Sequence, residues 1–180
     1  MRLSTILLLQ LAFALTLAGC TQPNQRVSQA VTPAVSPAES VEKQIRSADV
    51  VKAAVSPVTI EPGGTSETQV QLTIQEGYHV NANPPTYPYL KATTLEVPGA
   101  GGISLVEVAY PKGLERRFAF AENPLAVYEG KADLKATLKA DKSAAPGEQS
   151  IPAHLRIQAC DEQVCYPPGT LELTIPVQIK

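Results

Sequence analysis

Residues 151–179 read IPAHLRIQACDEQVCYPPGTLELTIPVQI. On the first arm Ile151, Ala153, Leu155, Ile157 and Ala159 take alternate positions, with His154, Arg156 and Gln158 between them. On the second arm Leu171, Leu173, Ile175, Val177 and Ile179 do the same. Successive side chains along a strand point to opposite faces, so each arm has one apolar and one polar face. The connection CDEQVCYPPG, residues 160–169, is polar and closed by Pro and Gly. Together they predict an antiparallel hairpin whose tip carries two cysteines.

Outward from the hairpin, the same short alternating runs recur at residues 50–60, 68–74, 93–97, 103–110, 125–128 and 132–138, separated by Pro- and Gly-rich turns. Residues 77–89 read as a Pro-rich loop carrying Tyr78, His79, Tyr87 and Tyr89, and 111–124 as a charged, aromatic loop. About seven to nine strands with turns every 8–12 residues predict an all-β sandwich. The 16 prolines in 180 residues argue against a helical bundle. A formal charge of −2 argues against a nucleic-acid partner, and a 44% hydrophobic content excludes wholesale disorder.

The first 19 residues read as a signal peptide, with Arg2 before an apolar stretch too short to span a bilayer. They end in Leu17-Ala18-Gly19-Cys20, which resembles the lipobox of bacterial lipoproteins and marks Cys20 for lipid attachment. Several acyl chains would anchor the protein stably. By resemblance to lipoprotein sorting in two-membrane bacteria, Thr21 rather than Asp after the anchor implies the outer membrane, facing the periplasm of the bacterial envelope; in a one-membrane host the question does not arise. Residues 20–48, with Pro23, Pro33 and Pro37, read as a flexible tether. A flexible chain of that length reaches roughly 30 Å. The folded domain is expected over residues 49–180.

Export places Cys160 and Cys165 where disulfides persist, and opposed positions of a hairpin suit such a bond. Closing so short a ring stabilises by only about 2 kcal/mol. Exposed bonds of this kind are also the labile ones. The residues themselves leave a redox switch and a structural staple both open. Zinc lacks ligands, since only His79 and His154 could join the two cysteines. No cofactor motif, paired carboxylates or phosphate loop is present. His79 reads as a structural loop residue, His154 as a solvated strand residue, and Arg116 and Arg117 as a solvated turn. Two bland alternatives stand beside the switch: a binding or assembly sandwich with a structural disulfide, and a ligand site in the Tyr-rich loop.

The stretches GYHVNANPP (77–85), YLKATTLE (89–96), FAF (118–120), VYEG (127–130) and QACDEQVCYPP (158–168) resemble the N-terminal periplasmic domain of the thiol:disulfide interchange protein DsbD. The resemblance spans about residues 50–180 and implies an immunoglobulin-like β-sandwich. It implies that Cys160 and Cys165 pass reducing equivalents between a membrane electron donor and thioredoxin-fold partners, as a protein-disulfide reductase would. It places Tyr166 and Pro167 beside the second cysteine, and Phe118, Phe120 and Tyr128 in the region of an aromatic cap over the pair. Cys165, inside the matched Cys-Tyr-Pro-Pro, is the expected point of exchange with the partner. This sequence shows no membrane electron-transfer segment of its own, so the donor is expected to be a separate polypeptide.

Overall fold

A computed structural model describes residues 45–180. The expected signal peptide, the expected lipid site Cys20 and the expected tether up to residue 44 lie outside the described residues. A 3₁₀ turn, Ser47–Asp49, leads into β1 (Val51–Val55), β2 (Val58–Ile60), β3 (Thr65–Ile74), β4 (His79–Asn81), β5 (Thr94–Glu96) and β6 (Ile103–Ala109). Then follow β7 (Leu114–Arg116), β8 (Leu125–Tyr128), β9 (Lys131–Ala140), β10 (Gly147–Ile157), β11 (Ala159–Cys160) and β12 (Gly169–Ile179). They form three four-stranded sheets, ordered β1-β3-β9-β6, β2-β12-β10-β5 and β11-β4-β8-β7.

The fold is the expected all-β, immunoglobulin-like one. The alternating runs set its core: Leu134, Ala136, Leu138 and Ala140 of β9, with Ile151, Ala153, Leu155 and Ile157 of β10, are at most 1% exposed. The decisive hairpin pairs Ile151 with Ile175 and Leu155 with Leu171, and runs from Gly147↔Ile179 to Ile157↔Gly169.

Three expectations change. The run 50–60 is two strands: β1 pairs antiparallel with β3, whereas β2 crosses to the other sheet and pairs parallel with β12. The break falls at Pro57, which has no N–H to continue the β1 ladder. Second, residues 79–81 of the supposed loop are strand β4, buried at all three positions and so without alternation. Third, packed structure starts before residue 49. Ser47 is fully buried and Ile45 packs on the core, so residues 45–48 belong to the domain rather than the tether. Twelve strands exceed the expected count because β2, β4, β5, β7 and β11 have three residues or fewer.

Candidate functional site

The third sheet builds the site because its two faces differ. Val80 pairs with Tyr128 on one side and Ala159 on the other, and all three join the main core. The next residues along each strand face the opposite way. On that outer face Cys160 pairs with His79, and Asn81 with Val127. Phe118 closes a small apolar cluster there with Leu125 and Val127, flanked by Tyr87, Leu90 and Ala121.

Cys160 and Cys165 are disulfide-bonded, with Cα atoms 3.9 Å apart, closer than the hairpin expectation of about 4.5–5.5 Å. The bond is asymmetric. Cys160 is fully buried at the end of β11, while Cys165 is partly exposed in the loop. A ladder of polar contacts holds that loop. Asp161 N–H donates to Val164 O at 3.0 Å, and Tyr166 N–H to Ala159 O at 2.9 Å. Asp161 Oδ1 accepts from the N–H groups of Gln163 and Val164, both at 2.8 Å. The Tyr166 hydroxyl donates to Asp161 Oδ2. That bond, with the two amides, holds the Asp161 carboxyl below its usual range; in return it pushes the Tyr166 hydroxyl up to about 12. Gln158 ties the loop to its neighbours, donating to Tyr166 O at 3.3 Å and accepting from Asn81 and Lys91 N–H groups at 3.1 Å.

The aromatic residues expected to cap the pair part company. Phe118 stacks on His79, rings 4.1 Å apart, and Phe120 stacks on Phe118 at 5.3 Å. Phe118 is buried and Phe120 is 43% exposed. Together they form a ladder over the imidazole paired with Cys160. Tyr128 is not part of it. It lies on the core face, where its hydroxyl donates to Pro111 O and accepts from Asn83 N–H, both at 3.0 Å. Burial pushes the Tyr128 hydroxyl up. Tyr166 flanks the disulfide and packs against Tyr78, ring centroids 6.0 Å apart. Pro167 is exposed, and its carbonyl accepts from Ser47.

His79 is a strand residue, not a loop residue, and its buried Nε2 has no hydrogen-bond partner. Burial pushes its pKa down, outweighing the pull of Glu129 and Asp161, while Arg116 acts in the same direction as burial. Arg116 pairs with Glu129 rather than standing free in solvent. A groove of about 570 Å³ opens beside the loop, lined by Tyr78, His79, Arg116, Arg117, Phe118 and Glu162. His154 contacts Glu172 across the β10–β12 pair. Among the described residues no three His, Cys, Asp or Glu side chains gather as a metal would require.

Such an arrangement defines a class: an immunoglobulin-like sandwich with a disulfide at one end, one cysteine buried next to a histidine that stacks on phenylalanine and the other near solvent. The family model for the N-terminal region of the thiol:disulfide interchange protein DsbD matches residues 47–176, and the chain belongs to that family. The N-terminal periplasmic domain of ScsB from Proteus mirabilis is similar in fold, with a TM-score of 0.51 at 13% identity. The match covers 71% of this chain but only 46% of that one, so this chain spans under half of its length. The DsbD N-terminal domain from Neisseria meningitidis, solved in complex with the PilB N-terminal domain, gives 0.45 at 17% identity, over 73% of this chain and 87% of that one. A search of curated proteins finds no match.

Proposed function

We propose that this domain is a thiol–disulfide exchange module, anchored by lipid at Cys20 to the outer membrane of a bacterial envelope. In this reading it passes electrons between a separate membrane donor and thioredoxin-fold partners. The observation that carries the reading is the asymmetric disulfide whose buried cysteine pairs across the sheet with His79, itself stacked on Phe118, in a chain of this family. A partner thiolate attacks Sγ of Cys165, the S–S bond breaks, and Cys160 leaves as a thiolate that takes up a proton. A second partner thiol then attacks the mixed disulfide, frees Cys165, and leaves the partner oxidised by two electrons. Run in reverse, the reduced pair reduces a partner disulfide. Phe118 and Phe120 shield the site between encounters.

The reduction potential of the pair tests this. A value of roughly −180 to −270 mV, where exchange proteins work, supports it. A value well below about −300 mV marks a bond that ordinary thiol pools do not reach, and the structural-disulfide reading then takes its place. Trapping assigns the sulfurs: Cys160→Ser is expected to accumulate a mixed disulfide through Cys165 and Cys165→Ser is not. Trapping by both variants or by neither overturns that assignment. For the anchor, Cys20→Ser is expected to move the protein from the membrane fraction to the soluble one, and retention on the membrane refutes it.

A further inference from the structure

The 3₁₀ turn that begins the domain reaches into the redox loop. Ser47 is fully buried. Its hydroxyl donates to Pro167 O at 2.6 Å and accepts from Ala159 N–H at 2.9 Å. Ala159 directly precedes Cys160, and Pro167 lies two residues after Cys165. One hydroxyl therefore spans both arms of the cysteine loop, from a position 112 and 120 residues away in sequence. Serine suits the place because its hydroxyl donates and accepts at once. The contact is deliberately close on the other side too. A Cβ at Gly169 would lie 3.0 Å from Ala48 N and 3.3 Å from Ala48 Cβ, so glycine at the head of β12 is what lets the turn lie there.

We infer that Ser47 is a positioning residue of the redox site: its hydroxyl clamps the two arms of the loop and keeps the reduced thiols of Cys160 and Cys165 facing each other. The inference rests on the exchange reading above. While the S–S bond is intact, the arms are joined covalently and the clamp is fully formed. Once the bond is broken, the arms are tied only by hydrogen bonds. The clamp then supplies part of the local concentration of one thiol at the other. Clamp and disulfide must strengthen each other by the same factor. Without the clamp the reduced loop relaxes and the oxidised loop does not. The oxidised form therefore loses more, and the pair becomes easier to reduce.

The test uses the full chain carrying Cys20→Ser, so that only the pair reports. Each protein is equilibrated with dithiothreitol and with glutathione buffers, and the oxidised fraction is read by thiol alkylation and mass spectrometry. Ser47→Ala is expected to lower the equilibrium constant for disulfide formation about threefold to tenfold. It should also lengthen the life of the glutathione mixed disulfide, because the second thiol arrives more slowly. Ser47→Thr keeps the hydroxyl and should stay within twofold of the parent. Gly169→Ala pushes the turn off β12 while keeping serine at position 47. It should shift the equilibrium in the same direction, and it carries the test if Ser47→Ala does not fold. A purely architectural serine would weaken oxidised and reduced protein equally, so an unchanged equilibrium constant in folded Ser47→Ala, or in Gly169→Ala alone, overturns the inference. The parent protein's own potential judges the exchange reading separately, since dithiothreitol gives the variant-to-parent ratio wherever that potential falls.

Discussion

His79 pairs across the sheet with Cys160 and stacks on Phe118, and its burial disfavours the charged imidazolium. Its pKa in the folded domain is pushed below the ordinary value of 6.5. Between those two values the unfolded chain binds more protons than the folded one, so stability rises with pH there. The oxidised domain is therefore expected to lose stability as pH falls below about 6.5, and His79→Gln should flatten that slope. Melting curves between pH 8 and pH 5 read it, and an equal slope in the variant refutes it. Asp161, held below its ordinary 3.8, is lost in a separate and more acid window. A second expectation concerns that carboxyl: in Tyr166→Phe its pKa should rise, followed by carboxyl chemical shifts, because its strongest hydrogen bond is gone. An unchanged value would show the two amide donors suffice. At this scale the cysteines and Tyr166 were legible, since the motif is local. Ser47, Asn81 and Gln158 were not, because their roles come from partners 77 to 120 residues away.

Among the strands, legibility followed alternation. β9, β10 and β12 bury one face each, and their period of two announces them. β4 buries both faces and β7 neither, so neither carries a period to read. That is why the expected loop turned out to hold the strand beside Cys160. The sheet change at Pro57 was hidden for another reason: Val55 before it and Val58 after it read as one interrupted apolar run, and only the partner strands distinguish them. The alternating strands also make a stability prediction. Leu134→Ala on β9, fully buried, is expected to lose about 2–5 kcal/mol in denaturant unfolding. Val106→Thr on β6, at 55% exposure, should stay within about 0.5 kcal/mol. Similar losses at both sites would contradict the assigned core.

For the molecule as a whole, the core rather than the disulfide carries the fold. The bond closes a ring over a sequence separation of five, and the chain-entropy cost of so small a ring is about 2 kcal/mol. Reduction is therefore expected to leave the domain folded, with an unchanged far-ultraviolet spectrum and a stability lower by about that amount. Unfolding on reduction would mark the bond as a staple and weaken the exchange reading. Exchange demands a protein that survives both states.

The same serine contact gives the molecule a direction. The chain enters the described domain beside Ser47, which is bonded to the cysteine loop, and reaches Lys180 just beyond the far end of β12. Eleven strand residues separate those ends by about 35 Å. A fluorophore or surface attachment at the entry would share its side of the molecule with any docking partner, and one at the exit would stay clear. The exit is the place to hold this protein by when its reactivity is to be watched.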